Sequence, residues 1–502
     1  MAELALQELV RSGIARRIDG DASVKVRGVR HDSRNVEPGD LFVAIAGAGS
    51  DGATFAEAAI ARGAVAVLSQ RPLPLRVPVA VADDGLVSLA RVATLLYDDP
   101  TRQLGVVGIT GTNGKTTTAY LLESVLQAAG GKPAVIGTVS FRGPGGVRQA
   151  THTTPMADDL MRLSRWAVDT GATHLLLEVS SHGLAQHRVD GVRFAVAAFT
   201  NLTQDHLDFH GSMAEYEQAK RRLFTELAPD TSVVNIDDAA GASIARSVRG
   251  KLLRCSRHAS DEAEVRVLQW VSDRQGIRAD VATPAGRLAL HSPLIGEHNL
   301  ENLLVAVGCA HALGIAPALI ASGLASAVGA PGRLERVAHP QDVLVFVDYA
   351  HTPDALSRVL RAVRKTTPGR VIVAFGCGGN RDAGKRPLMG RAAAELADLV
   401  VLTSDNPRNE VPEAIVAQIE AGVSASSLAH CEPEAFVRSE RGYAVQVDRR
   451  AAIRLALRAA RAGDSVVLAG KGHETVQIIG SQQLPFDDRV EARAAIAEVG
   501  GA

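Results

Sequence analysis

The stretch Thr110-Gly111-Thr112-Asn113-Gly114-Lys115-Thr116-Thr117 sets two glycines, a lysine and paired hydroxyls between an apolar run at 105–109 and a helical pattern at 116–129. Glycines let a backbone curl until its N–H groups face an anion, and the start of a helix adds its dipole. In such a loop Lys115 would lie against the outer phosphates of a nucleotide, and the Thr116 hydroxyl would reach Mg²⁺. The spacing departs from the standard phosphate loop: position 109 is Ile, and the flanking glycines stand at 108 and 111. A Gly-rich turn with a surface lysine is the plain alternative. A phosphate loop by itself does not separate a switch, a motor and a ligase.

Further groups follow at strand ends. Glu178, in Glu178-Val179-Ser180-Ser181-His182, lies at the C-terminal end of the run 175–179. A carboxylate there, in the same crevice as the phosphate loop, suits a hard Mg²⁺ ion. The alternative is a buried carboxylate paired with a lysine. His206 lies in Asn201-Leu202-Thr203-Gln204-Asp205-His206-Leu207-Asp208, after the next apolar run. Alone it reads as a structural hydrogen-bonder. Lys220 lies in Tyr216-Glu217-Gln218-Ala219-Lys220-Arg221-Arg222-Leu223-Phe224, an amphipathic helix with a basic face, and alone it reads as a solvated surface lysine. Taken singly, Asn302 and Arg333 are a helix-capping Asn and a surface Arg. Three later loops, Gly378-Gly379-Asn380-Arg381-Asp382, Ser404-Asp405-Asn406-Pro407-Arg408 and Gly470-Lys471-Gly472-His473-Glu474, each follow an apolar run and should converge on one crevice. Asn-Pro is a common turn signal, so Arg408 alone could be a turn residue paired with a nearby acid.

These groups need parallel α/β scaffolds to hold them. The chain has 502 residues, enough for about three domains at roughly 150 residues each. Short strands at 40–45, 65–68 and 77–81 alternate with Ala-rich helices up to 104. Strand, Gly loop and helix open a second segment at 105, continued by apolar runs at 175–179, 195–200 and 233–236. Ala330-Pro331-Gly332-Arg333 punctuates the chain and sets a second boundary after 332. Residues 333–502 repeat the rhythm, with strands at 343–347, 371–375, 399–402 and 465–468. Hydrophobic residues at 46% and charged residues at 22% exclude a disordered chain. Lys+Arg at 54 against Asp+Glu at 55 removes a globally basic surface, and 4% aromatics argue against stacking platforms, so no nucleic-acid partner is expected. Cys255, Cys309, Cys377 and Cys431 form no CxxC pair. The N-terminus, with acids early and no long apolar run, is not a signal peptide, and runs of 6–8 apolar residues fall short of a membrane span. A cytoplasmic protein with no membrane insertion is expected.

TGTNGKTT resembles the phosphate loop of the Mur ligases and the related folylpolyglutamate synthases, and further segments match in the family's order from Ser33 to Glu474. The likeness is strongest to the diaminopimelate-adding branch, for which the DNPR string is characteristic. It implies an α/β, three-domain Mur ligase architecture: 1–104 for a UDP-sugar, 105–332 as a central P-loop ATP-binding domain, 333–502 as a Rossmann-like amino-acid-binding domain. The implied reaction is ATP-dependent, adding meso-diaminopimelate to UDP-N-acetylmuramoyl-L-alanyl-D-glutamate through an acyl phosphate, by a monomer. The resemblance assigns Gly111, Thr112, Asn113, Gly114, Lys115, Thr116, Thr117, Asn302, Arg333 and Asp348 to ATP. It assigns Thr116, Glu178, His206 and Lys220, the last as a CO₂-derived carbamate, to two magnesium ions. Ser33, Thr153, Thr154, Ser180, Gln186 and Arg188 match positions that contact the nucleotide-sugar peptide. Arg381, Asp405, Asn406, Pro407, Arg408, Gly470 and Glu474 match the amino-acid positions. Arg408 makes physical sense there, because diaminopimelate resembles lysine with an added carboxylate that Arg can clamp bidentately. An Arg left unpaired in a lysine complex would reject that competitor. A lysine-adding ligase, a folylpolyglutamate synthase and a P-loop switch or catalytically dead binding module are the rivals. The first is disfavoured by Arg408, the second by the Ser33 region and DNPR, the last by the joint presence of Lys115, Glu178, His206 and Lys220.

Overall fold

The structure is a computed structural model that describes residues 3–47, 51–150 and 152–500. It divides into two compact units. Residues up to 269, with 280–289 and 301–325, form the first; 270–279, 290–300 and the chain from 326 onward form the second.

The first unit holds two sheets over one continuous apolar core, in which Leu41 and Val43 join Val106, Leu160 and Leu175. The smaller sheet runs Arg17–Asp19, Val79–Val81, Ala66–Ser69, Asp40–Val43, Gly28–Arg30, parallel except for its first strand. The larger runs Gly146–Gln149, Ser140–Gly143, Pro133–Ile136, His174–Glu178, Gly105–Thr110, Val196–Phe199, Thr231–Asn235, Lys251–Ser256. From Pro133–Ile136 to Lys251–Ser256 neighbours pair in parallel. Of these, Gly105–Thr110, His174–Glu178, Val196–Phe199 and Thr231–Asn235 are buried on both faces along almost their whole length, which is why they read as apolar runs. Gly105–Thr110 lies between the later strands His174–Glu178 and Val196–Phe199, so the chain changes direction across it and leaves a crevice at the strands' C-terminal ends.

The second unit carries a sheet ordered Glu335–Val337, Leu344–Asp348, Ser465–Ala469, Val371–Phe375, Leu399–Leu402, Gly442–Val445, parallel except at its first strand. Successive residues alternate between two apolar layers: Leu344 and Phe346 join one cluster, Val345 and Val347 the other. Pro353–Thr366, a strongly amphipathic helix capped by the Thr352 hydroxyl, covers the first face, and Arg449–Ala459 covers the second. Loops after Leu344–Asp348, Val371–Phe375, Leu399–Leu402 and Ser465–Ala469 therefore leave from one end of the sheet.

The expected core strands lie within one or two residues of their expected bounds. Among the strands the sequence reading missed are the buried Pro133–Ile136, the hairpin Ser140–Gly143/Gly146–Gln149, Lys251–Ser256, the strands from 265 to 292, Gly442–Val445 and the hairpin Val476–Ile479/Gln482–Pro485. Most of these are half-exposed, and a short strand without a two-sided apolar run gives little signal. Among the described residues, no helix is long and apolar enough to cross a membrane.

Candidate active site

Gly111 and Gly114 carry the phosphate loop through left-handed backbone, at φ +144° and +88°. A Cβ at Gly111 would collide with the Thr200 hydroxyl, and one at Gly114 with the Asn302 amide oxygen. Asn302 therefore packs under the loop from the middle of the helix Glu297–Ala312, and it is not a cap. The loop is stitched to the next strand's end: Thr200 Oγ1 and Asn201 Nδ2 donate to Asn113 O at 2.6 and 3.1 Å, and Asn113 N donates to Asn201 Oδ1 at 3.0 Å. Lys115 opens the helix Lys115–Ala128 and folds back, its Nζ donating to Gly111 O at 2.7 Å and Thr112 O at 2.9 Å. Thr116 and Thr117 are buried in the helix's first turn.

Glu178 is 1% exposed. Its Oε2 accepts from Thr116 Oγ1 at 2.8 Å and Thr138 Oγ1 at 2.9 Å, and its Oε1 from Thr138 N at 3.1 Å. Thr138 escaped the sequence reading. It lies two residues beyond the C-terminal end of the strand Pro133–Ile136, the edge where that reading looked for ligands elsewhere. Thr138 Oγ1 also meets Thr153 Oγ1 at 3.0 Å. Thr154 Oγ1 donates to Glu178 O at 2.8 Å and receives Ser180 N at 2.9 Å, and Ser180 Oγ caps the helix Ser181–Ala185. Arg188 Nη1 donates to Thr154 O at 2.7 Å and its Nε to Gln186 Oε1 at 3.0 Å. Thr153, Thr154, Ser180, Gln186 and Arg188 thus form one connected group beside Glu178. The Ser33–Asn35 turn is tied to this region through its neighbour: His31 N donates to Asp158 Oδ2 at 3.1 Å and His31 Nδ1 lies 2.8 Å from the same oxygen.

Lys220 corrects the surface reading: it is 1% exposed and its Nζ donates to Gly111 O at 3.0 Å, the same carbonyl that Lys115 uses. On the helix Met213–Thr225 it shares the inward face with Tyr216, Leu223 and Phe224, while Arg221 and Arg222 take the basic face. Burial drives the Lys220 ammonium well below its ordinary range, Lys115 adds to that push, and Asp205 opposes it. Tyr216 stands between the candidate metal groups. Its ring lies 4.4 Å from Lys220 Nζ and 6.3 Å from the His206 ring, and its hydroxyl meets Thr112 Oγ1 at 3.0 Å. Burial lifts the Tyr216 phenol to about 12, so it stays neutral. His206 adopts left-handed backbone, φ +53°, with an exposed side chain edge-on to His182 at 4.8 Å. Burial, with His206 and His210 nearby, drives His182 down to about 4.

The second unit gathers the amino-acid candidates. Asn406 Nδ2 donates to Glu474 Oε2 at 2.7 Å, and Gly470 packs against the Asp405 carboxylate. Burial raises the Asp405 carboxyl, against Arg449 and Lys471. Pro407 is buried; Arg408 is half-buried at φ +51°, its Nη1 donating to Gly379 O at 2.8 Å. Gly378 lies between Arg408 and the exposed Arg381. Asp348 accepts from Leu334 N at 2.6 Å and Ala350 N at 2.7 Å, and Arg333 stacks over Tyr349 at 4.6 Å. Arg333 and Asp348 thus belong to the same unit as the amino-acid loops, while Asn302 belongs to the first. Sequence reasoning assigns nothing to two further buried residues: Lys471, between two glycines of the 470–474 loop, and Arg449, which is fully enclosed with Asp488 at 2.6 Å and donates to Ala469 O at 3.0 Å.

Three family descriptions match the chain: "Mur ligase family, catalytic domain" over residues 25–105, "Mur ligase middle domain" over 109–310 and "Mur ligase, glutamate ligase domain" over 332–472. A UDP-N-acetylmuramoyl-L-alanyl-D-glutamate–2,6-diaminopimelate ligase of Geobacter metallireducens is 44% identical over 99% of both chains. One of the same name from Gloeobacter violaceus is 45% identical, again over 99% of both. A solved structure bearing that enzyme name aligns at TM-score 0.71 with 34% identity, covering 99% of this chain and 100% of the other.

Proposed function

The chain belongs to the Mur ligase family, and we infer that it is an ATP-dependent ligase joining 2,6-diaminopimelate to UDP-N-acetylmuramoyl-L-alanyl-D-glutamate. One geometric observation carries the reaction class: Thr116 in the phosphate loop and Thr138 in the neighbouring strand-end loop both bond the buried carboxylate of Glu178. A nucleotide's outer phosphates and a second reactant's acyl group can then be met in one crevice. Arg408 and the relatives' names favour diaminopimelate over lysine or glutamate as the incoming amine.

We read residues 1–104, 105–332 and 333–502 as three domains, one for each substrate, in a cytoplasmic, monomeric enzyme. The backbone of Gly111 to Thr117 receives the triphosphate, Asn302 braces Gly114, and Lys115 leaves its carbonyl partners to neutralise the γ-phosphate. Arg333 and Asp348 are assigned to the nucleotide as well. Ser33, Thr153, Thr154, Ser180, Gln186 and Arg188 hold the nucleotide-sugar peptide, so that its terminal carboxylate attacks the γ-phosphorus. The acyl phosphate forms as ADP leaves. The free amine of diaminopimelate, oriented by Arg381, Asp405, Asn406, Arg408 and Glu474, then attacks the acyl carbon, loses a proton and expels phosphate.

The donors near the loop fit magnesium: a hydroxyl at Thr116, a carboxylate at Glu178, an imidazole at His206 and, on carbamylation, an anionic oxygen at Lys220. When bound, magnesium supplies positive charge to the phosphate oxygens. Lys220 suits carbamylation for a reason internal to the fold. Buried beside Lys115, it favours the neutral amine, and only a neutral amine adds to CO₂. The addition forms an N–C bond, releases one proton and sets a negative charge beside Lys115 where a neutral amine stood. An added CO₂ in the intact mass measured under bicarbonate is the expected result; an unmodified amine with full activity argues against it.

The decisive assay is phosphate release. It is expected to require the UDP-dipeptide and meso-diaminopimelate together, with L-lysine a poor substitute. Turnover indifferent to both acceptors sinks the ligase reading.

A further inference from the structure

Lys471 is 0% exposed, and it lies outside every role assigned above. Its Nζ donates to Val476 O at 2.6 Å, Asn406 Oδ1 at 3.1 Å and Glu474 Oε2 at 3.2 Å, which uses all three donors of an ammonium. Asp405 Oδ1 lies 3.7 Å away. The partners come from three segments: the loop at 405–408, the lysine's own loop, and the hairpin Val476–Ile479/Gln482–Pro485.

The same hairpin grips the 405–408 loop. Ile478 N donates to Asn406 Oδ1 at 3.0 Å and Gln477 Nε2 to Asp405 O at 2.7 Å. Arg408 N donates to Ile478 O at 3.0 Å, and Gly480 N to Arg408 O at 2.7 Å. Asn406 is fixed at both ends, its oxygen by Lys471 and its nitrogen on Glu474.

The hydrogen bonds leave acceptors over. Glu474 Oε2 is taken by Lys471 and Asn406, while among the described residues no hydrogen bond reaches Oε1. Asp405 Oδ1 is buried and likewise accepts none.

We propose that Lys471 is a positioning residue of the amino-acid site, holding Glu474 and Asn406 so that one carboxylate oxygen faces the incoming substrate's ammonium. A substrate ammonium would meet Glu474 Oε1, the oxygen that Lys471 and Asn406 leave open. Without Lys471, Glu474 and Asn406 would lose the shared donor that fixes their orientation. The inference rests on the diaminopimelate-adding reading.

The test is a double-mutant cycle of Lys471→Met and Glu474→Gln in the full chain, with KM for meso-diaminopimelate, KM for ATP and kcat measured for each. K471M is expected to raise KM for diaminopimelate by roughly tenfold or more, with KM for ATP within about twofold. Adding K471M to E474Q is expected to change little further, because the lysine acts through the glutamate. If less than half of K471M is folded by circular dichroism, K471Q, which keeps a donor, replaces it with the same expectation. Parallel rises in both KM values, or effects that multiply in the double variant, overturn the proposal. The wild type run beside them separates the two failures. Diaminopimelate-dependent wild-type turnover with an unselective Lys471 variant defeats only this inference, while wild-type turnover blind to diaminopimelate removes the underlying reading as well.

Discussion

Lys220 and Lys471 are both enclosed, one in each unit, in crevices that open beyond the C-terminal ends of parallel strands. Their neighbours differ in kind. Lys220 has a backbone carbonyl for a partner and a second lysine sharing it. Lys471 has an amide oxygen, a carbonyl and two carboxylates. Burial penalises an ammonium in both places; the second site sets a hydrogen-bonded carboxylate and a second one against it, while at the first Asp205 only partly offsets burial and Lys115. On the roles proposed above, the first lysine is left to react and the second is held rigid, so what encloses a buried lysine decides whether it does chemistry or holds geometry.

Lys220→Ala or Lys115→Ala puts the most pressure on this contrast. Each should lower kcat in the phosphate-release assay by about 10³-fold, the scale of removing a preorganised charge from a transition state. A K220A protein retaining most of its activity would erase the distinction between the two lysines. Arg408→Ala comes next, on the rigid side. It should cut kcat/KM for diaminopimelate by roughly tenfold to a hundredfold, the loss of one charge-assisted contact, and leave KM for ATP unchanged. Thr138→Val removes one bond to Glu178 and should lower kcat by roughly fivefold to tenfold with little change in melting temperature. The smallest effect concerns neither lysine and serves as a control on the first unit's frame. Burial pulls His31 down, but Asp158 beside it more than compensates, so its affinity for the proton lies above the ordinary 6.5. That contribution to stability is complete below pH 6.5 and is lost as pH rises through the raised value. The melting temperature should fall gently over that interval, and Asp158→Asn should flatten the slope; an unchanged slope would show that His31 is not the titrating group.

The sequence revealed these two lysines unequally, for physical reasons. The crevices themselves were legible, because strands such as Val371–Phe375 and Leu399–Leu402 are apolar on both faces and end in Gly or polar loops. Lys220 was misplaced on local reading because Arg221 and Arg222 follow it and make the helix look basic. Its burial follows from lying one turn after Tyr216 on the face that carries Leu223 and Phe224. Lys471 gave no local sign at all: a lysine between two glycines reads as loop, and its enclosure depends on a hairpin whose last strand is exposed at every residue. Thr138 was silent because a single hydroxyl after a short strand carries no pattern. Family resemblance supplied Lys220's role but had nothing to offer for Lys471 or Thr138.

Arg408 sits in left-handed backbone, a conformation that costs a branched or long side chain roughly 1 kcal/mol or more and glycine almost nothing. If Arg408 selects the acceptor as proposed, heat resistance and selectivity pull on this position in opposite directions. A library selected only for survival at high temperature should enrich Arg408→Gly and Arg408→Asn, and its winners would be sturdier proteins with poorer discrimination between diaminopimelate and lysine. Any attempt to harden this chain by directed evolution has to select for the acceptor at the same time.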